Sequence, residues 1–388
     1  MVPITSKDNL RQANRKLVLQ EIVNSEYTTR VAISRKLGLN KSTISSIYDD
    51  LKKEQLVEEV GEGAASHAGG RKPTNIKLHA SYGFTMSFDI SFRNLHFMIN
   101  YLDSSVIEQS EISIYQKSIQ EILAIIEAKI DQTLQTVQSV RGLLGICLSI
   151  HGIVNERQAI TYSPFVDFDN LDLRQLLMAK YQVPVVLENE SNLTAVYVRD
   201  FMPVAANPNL VAISIHKGIG SGIILNQRLF RGFKGQAGEI GRTLIKTAEG
   251  KLIPVEQICS EDSIINYLKT QLKTEKLNRG QVIALYRAHN KAVILAMNTF
   301  VAEISTLIYN ASMYFDTGTV YLGSPLMEEA TEIFDQVAES VQRLNNNAIN
   351  LHLLANSDMA TLFGACSVIT HQVLDLVGYQ LNFSGVQK

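Results

Sequence analysis

Along the first fifty positions apolar residues recur at helical spacing, with polar residues on the complementary faces. Ile33 and Leu37 lie four apart, Gly38-Leu39-Asn40 interrupts the stripe, and Ile44, Ile47 and Leu51 resume it at spacings of three and four. Thr28 or Thr29 can cap the first helix and Asn40 the second, while Gly38 stands where a helix end takes a left-handed residue. This spacing predicts a helix-turn-helix, buttressed by an earlier helix over residues 9–24. Turning the stripe inward leaves Lys41, Ser42, Ser45 and Ser46 outward near the start of the second helix. Short hydroxyl side chains permit close approach to a duplex and a lysine contacts phosphate. With Thr43, these residues form a candidate major-groove face; an ordinary helical hairpin with a solvated face would read the same way.

The next segment favours DNA. Two short alternating runs, 56–60 and 75–78, flank GEGAASHAGG and Arg71-Lys72-Pro73. Two strands with a long small-residue tip make a wing. Arg71 and Lys72, presented by two glycines and stiffened by Pro73, suit a narrow minor groove; a solvated loop is the plainer alternative.

Beyond residue 80 the period changes from helical to alternating. Segments 83–89, 95–101 and 105–114 read as an antiparallel meander, 118–137 as an amphipathic helix, and 143–150 as a buried strand. Strands 183–187, 210–216, 222–225 and 319–323 then alternate with helices, including 191–201, several between 260 and 308, 328–344 and 359–377. This is α/β texture. The pattern occurs as two halves, each with strands first and helices after, without a short sequence repeat.

A chain of 388 residues suggests two or three structural units, and 46% hydrophobic with 19% charged residues is the mix of a folded rather than a disordered protein. No run of ~18 apolar residues is evident and the N-terminus lacks an apolar signal region, so the expected location is the cytoplasm. Three scattered cysteines, Cys147, Cys259 and Cys366, argue against a disulfide framework and against a four-cysteine zinc site. Residues 1–80 hold 13 Lys and Arg against 9 Asp and Glu, so a net of +4 there leaves −6 over residues 81–388. The basic end is where DNA is expected, with modest non-specific affinity.

Several motifs in order then carry a resemblance: GGRKP at 69–73, Asp89 after the first strand, ENESN at 188–192, KGIGSG at 217–222, GQAGEIGR at 235–242 and LGSP at 322–325. The chain resembles, over essentially its whole length, repressors of the ROK family, and within it the xylose-responsive members. The resemblance implies a winged helix-turn-helix at 1–80 and a two-lobed, actin-like sugar-kinase fold of the ribonuclease H type. Its lobes would be 81–190 and 191–388, with the last helix able to return to the first lobe.

Departures from the family pattern separate repressor from kinase. Kinases of this fold place glycines after the first-strand Asp so that backbone N–H groups meet ATP phosphates; here Asp89 is followed by Ile90-Ser91-Phe92-Arg93. Where they carry a general-base Asp, this chain has Glu190, whose extra methylene displaces the carboxylate by about 1 Å. The glycines of the loop Gly218-Ile219-Gly220-Ser221-Gly222 are kept, though they can simply shape a hairpin. The family's His and CxCGxxGC zinc box are replaced by Arg242 and a lone Cys259, so no metal is expected, and Arg242 is expected to pair with a nearby carboxylate.

By resemblance, Asn189, Glu190, Glu239 and Glu256 match positions that hold sugar hydroxyls, work suited to carboxylates with paired acceptor oxygens. The family's sugar-gripping Asn is absent; Asp167 is a candidate replacement, Phe168 a candidate stacking ring, and His151 a candidate donor more simply read as a structural histidine. A helix-start carboxylate satisfied by backbone N–H groups is the plainer reading of Glu239. The expected function is a non-enzymatic repressor, at least dimeric, that binds double-stranded operator DNA without a cofactor and is released by a neutral monosaccharide, xylose first. The alternatives are a sugar kinase with an added DNA-binding domain and a repressor whose sugar site has decayed.

Overall fold

The computed structural model describes residues 7–62, 72–202, 208–247, 249–345 and 349–383. The chain opens with helices α1 (Lys7–Val23), α2 (Arg30–Leu37) and α3 (Lys41–Lys53), then strands β1 (Val57–Glu62) and β2 (Thr74–Leu78). Ile33, Ile44, Ile47 and Leu51 are all buried, as their spacing predicts. The caps form as expected: Thr29 Oγ1 accepts from Ala32 N–H, Asn40 Oδ1 accepts from Thr43 N–H, and Gly38 adopts φ +66. β1 and β2 pair antiparallel, and Thr28 bridges Ile76, so the wing is tied back to the start of α2. The predicted wing tip, with Arg71, lies outside the described residues.

The first lobe runs β3 (Phe84–Ile90), β4 (Asn94–Tyr101), β5 (Val106–Ser113), α4 (Ile119–Thr136), β6 (Leu143–Ile150), the small hairpin β7 (Ile153–Val154) and β8 (Ile160–Tyr162), α5 (Leu173–Tyr181), β9 (Val185–Asn189) and α6 (Glu190–Phe201). The second continues through β10 (Leu210–Ile215), β11 (Ile219–Leu225), β12 (Arg228–Leu229), β13 (Leu244–Lys246), β14 (Leu252–Pro254), α7 (Glu256–Cys259), α8 (Glu261–Gln271), α9 (Arg279–Arg287), α10 (Lys291–Phe315), β15 (Thr319–Gly323), α11 (Pro325–Glu329), α12 (Thr331–Asn345), β16 (Asn350–Leu353) and α13 (Ser357–Val373).

The two sheets repeat one topology. Their orders, β5-β4-β3-β6-β9 and β12-β11-β10-β15-β16, each place a three-strand antiparallel meander beside two parallel strands. The terminal helices cross over: α6, which follows the first sheet, packs on β10 and β11, while α13, which follows the second, packs on β3 and β6. The two helices also pack on each other between the sheets.

Some expectations need correction. The glycine-rich stretch is one arm of a hairpin rather than a loop, as the second of the two readings has it, since Ile219–Ile224 pairs antiparallel with β10. The helix expected over 328–344 is two helices, broken at Ala330. The short elements α5, β7, β8, β12 and β16 were not expected; they carry too few periodic positions to be distinguished from loop. By length and composition α10 alone among the described helices is apolar enough to cross a membrane. Its Val293, Met297, Phe300, Ile304 and Ile308 are instead packed into the second lobe's core, which is why its hydropathy is high.

The head joins the body through α1. Its Gln20 and Asn24 side-chain amides donate to Gln380 O at 2.7 and 3.0 Å, Asn24 Oδ1 accepts from Asn382 N–H, and Lys16 pairs with Asp375 at 2.8 Å. All three contacted residues lie in the segment immediately after α13.

Candidate functional site

In the head, Lys41, Ser42 and Ser46 are exposed on α3 while Thr43 and Ser45 are half-buried. Ser42 Oγ donates to Asn40 Oδ1 at 2.8 Å, so the capping residue also orients it. Two acidic side chains at the far end of the helix are tied to α1: Asp50, in α3, and Glu54, its C-cap, pair with Arg11 and Arg15. The wing strand is fixed to α3 by Glu59, which accepts from both Tyr48 OH and Lys52 Nζ at 2.7 Å. Lys72 is exposed and lies 3.4 Å from Glu62.

The lobes enclose a cavity of about 480 Å³ that brings together Asn189, Glu190, Glu239 and Glu256. These residues come from the β9–α6 junction, the turn after β12, and the start of α7. Glu190 is 9% exposed and accepts from Ser191 Oγ at 2.9 Å. Glu256 Oε2 accepts from Ile219 N–H at 3.2 Å, and a methyl on Gly218 would lie 3.0 Å from the same oxygen. Glu239 makes no capping bond, so the helix-start explanation fails; its nearest cation is Arg242 at 3.8 Å. Burial raises the Glu239 pKa above the usual carboxylate range, Arg242 opposes the rise, and Glu256 and Glu190 add to it. Arg242, set beside the expected carboxylate partner, also stacks over Tyr162.

Asn189 differs from its carboxylate neighbours. Its Oδ1 caps α6 at Asn192 N–H and its Nδ2 donates to Gly152 O at 2.6 Å, so both ends of the amide are already engaged. Phe165 reaches the cavity, but Asp167 and Phe168 do not: Asp167 Oδ1 accepts from Asp169 N–H and Phe168 packs into the first lobe's core.

His151 is a site residue that sequence reasoning undervalued. Its Nε2 lies 3.1 Å from Asp89 Oδ1, which also accepts from Ser149 Oγ at 2.5 Å. Burial would lower the His151 pKa, but the Asp89 charge and hydrogen bond dominate and push it up to about 9. Burial likewise would raise Asp89, and His151 and Ser149 hold it below its ordinary value. The signal was the strand register: Asp89 pairs with Ser149, placing residue 151 just beyond.

The two hairpin turns at the cavity mouth are occupied by side chains. Lys217 Nζ lies 3.8 Å above the Phe92 ring and 2.8 Å from Asp262, and Phe92 packs edge-on against Phe165 at 5.8 Å between centroids. This is a cation–π contact from the second lobe to the first, across the mouth where both hairpin turns meet. Asp89, at the end of β3 beside this turn, is paired with His151. The kept glycines serve packing: a methyl on Gly220 would lie 2.3 Å from Ser191 Oγ, and one on Gly222 would lie 2.2 Å from Ser191 O. Among the described residues no group of three or more His, Cys, Asp or Glu is placed to hold a metal ion. Cys259 is buried with its thiol directed to Val255 O, and burial pushes its pKa up to about 12.

Residues 85–372 match the ROK family profile. The chain belongs to the ROK family. It is 42% identical to a xylose repressor of Lactiplantibacillus pentosus over 379 residues, covering 97% of each chain. It is 36% identical to a xylose repressor of Staphylococcus xylosus, covering 95% of this chain and 97% of that one. Among solved structures, a ROK family transcriptional regulator described as a homolog of the E. coli MLC protein superposes with a TM-score of 0.79 at 19% identity, covering 97% and 98% of the two chains. A ROK family glucokinase from Streptomyces griseus, solved with glucose and AMPPNP, superposes with a TM-score of 0.63 at 17% identity, covering 74% of this chain and 99% of that one. The ROK fold is therefore shared with regulators along the whole chain and with kinases over the body alone.

Proposed function

We propose that this protein is a sugar-responsive transcriptional repressor that binds operator DNA and is released by a neutral monosaccharide, with xylose the first choice. The observation that carries the reading is a conjunction. Glu190, Glu239 and Glu256 converge on one cavity, while the turns that would meet a nucleotide's phosphates are closed by Phe92, Lys217 and the His151–Asp89 pair. Binding is kept and phosphoryl transfer is not. Full-length likeness to two xylose repressors supports the choice of sugar.

In this reading residues 1–80 are the DNA-binding head, 81–190 the first lobe and 191–388 the second, with α13 returned to the first. Lys41, Ser42, Thr43, Ser45 and Ser46 meet the major groove, and Arg71 and Lys72 serve the minor groove. Two-fold operators call for a homodimer. Coupling runs along α13, which lines the cavity at Asp358 and Thr361 and continues into the segment gripped by α1. Closing the lobes on a sugar moves that helix, and with it the head.

The test is operator release. Xylose added to the protein–operator complex lowers operator affinity, and calorimetry detects xylose binding to the free protein. Replacing Arg71 by Ala weakens operator binding and makes its salt dependence shallower by about one unit of slope. Absence of binding by any common neutral sugar would refute the sensor reading, and an unchanged affinity and slope for Arg71→Ala would remove the wing from the interface.

A further inference from the structure

A second cleft, sharing no lining residue with the sugar cavity, is larger, at about 1080 Å³. That is at the upper end of small-ligand sites. Four guanidinium groups line it: Arg174 from the first turn of α5, Arg199 near the end of α6, Arg228 at the start of β12, and Arg231 just beyond that strand. Among the described residues, the lining holds one carboxylate, Glu156, which is exposed.

The four are not equivalent. Arg199 is held by buried Asp200, with Nε–Oδ1 and Nη2–Oδ2 distances of 2.7 and 2.6 Å, and Arg231 by Glu188, which is 1% exposed, at 2.8 and 2.7 Å. Both guanidiniums are thus fixed in place by carboxylates lying behind them. Arg174 donates through Nε to Val185 O, and neither Arg174 nor Arg228 has an ion pair among the described residues. Such a concentration of positive charge is unexpected in residues 81–388, whose net charge is −6. Neither sugar recognition nor the DNA-binding head uses it.

We propose that this cleft is a second effector site for a phosphoryl group, carried by a phosphorylated metabolite or present as free phosphate. Planar guanidinium forks, two fixed and two without a carboxylate, match the oxygens of a phosphoryl dianion better than any neutral ligand. The position also gives the ligand something to regulate. Glu188, bound by Arg231 through Oε2, accepts through Oε1 from Asn189 N–H and Asn192 Nδ2, at the base of the sugar cavity. On another wall stand Gly378 and Tyr379, next to Gln380, whose carbonyl receives both Gln20 and Asn24 of the head. An anion drawing Arg231 and Arg228 together therefore acts on both the sugar site and the head's anchor. The regulatory consequence rests on the repressor reading; the binding itself does not.

Calorimetry on the full chain, with inorganic phosphate and glucose 6-phosphate as separate probes, tests the site. At least one probe should bind, and Arg174→Gln with Arg228→Gln together should weaken it by about tenfold or more while leaving xylose affinity unchanged. Equal affinity for the two probes assigns the cleft to free phosphate, and tighter binding of glucose 6-phosphate assigns it to a phosphorylated sugar. The proposal fails if neither probe binds or if the double variant binds as well as the parent. It also fails if Glu256→Ala abolishes binding, because the ligand then sits in the sugar cavity. Loss of operator affinity in the double variant with no small-anion binding would give the cleft to DNA phosphates and overturn the proposal. Should the double variant show a lowered Tm, Arg228→Gln alone decides, since that side chain is exposed and makes no hydrogen bond or ion pair among the described residues.

Discussion

The two lobes share a strand order but have diverged at the corresponding first hairpin. In the second lobe the β10–β11 hairpin keeps Gly218, Gly220 and Gly222: Gly218 abuts the Glu256 carboxylate, Gly220 the Ser191 side chain, and Gly222 lies so close to the Ser191 and Asn192 backbone that a side chain has no room. In the first lobe the β3–β4 turn carries Ser91, Phe92 and Arg93, and these project over the cavity mouth. The difference lies in the space beside each turn: Gly222 abuts the backbone of α6 and leaves no room for a side chain, whereas the first-lobe turn faces the open cavity and holds aromatic and basic groups.

The sharpest break of that comparison is Gly222→Val. A methyl there already lies 2.2 Å from Ser191 O and 2.6 Å from Ala195 Cβ, both on the rigid helix α6. Loss of about 3 kcal/mol of stability is expected in urea denaturation. Phe92→Gly, at the matching place in the first lobe, should cost far less; equal losses would dissolve the distinction.

Next in size is the sugar response. Glu256→Ala removes a carboxylate that also holds the β10–β11 turn, and Glu239→Ala removes one that does not. Each should weaken xylose binding by tens-fold or more, from about 1.5–3 kcal/mol per charge-assisted hydrogen bond, with operator affinity intact. Calorimetry and operator titration together check this, and binding that survives both losses would place the sugar elsewhere.

A smaller effect is pH-dependent. His151 has a folded pKa raised to about 9 against an ordinary value near 6.5, so its pair with Asp89 contributes fully below about pH 6.5 and is lost as pH rises through 9. The Asp89 value is depressed, so its share is present above its ordinary pKa and lost only in acid. His151→Gln should flatten the decline in Tm between about pH 6.5 and 9. An unaltered slope would detach His151 from the closure of the first-lobe turn.

The smallest expected effect is none. Phe92→Gly combined with Lys217→Ala reopens the mouth, but the turn still lacks the backbone donors of a phosphate cradle, so a coupled assay with ATP and sugars should stay at background. Turnover that disappears with Glu190→Gln would make the protein a kinase.

The head was legible almost to the residue, because its determinants are local. Ile33, Ile44, Ile47 and Leu51 mark one stripe, and the Thr29 and Asn40 caps act over three residues. The alternating runs likewise located β3, β4, β5 and β6, and the two-halved texture foreshadowed two sheets of one order. What the sequence could not supply is which groups meet across it. His151 and Asp89 are separated by 62 residues and joined by strand register. Lys217 and Phe92 lie on different lobes, and Arg231 and Glu188 join the β12 end to β9. Asn189 lines the cavity but its amide is engaged by Asn192 N–H through Oδ1 and by Gly152 O through Nδ2, the latter a partner that only the fold brings to it. Caps, stripes and turns are decided by neighbours within a few bonds, so the sequence by itself determined the helices of the head and the exposed polar face of α3. Charge pairing and cavity shape depend on distances between remote segments, so only the tertiary structure decided that Lys217 caps Phe92 at the cavity mouth, that three carboxylates converge, and that α13 runs from their cavity towards the segment that contacts the head.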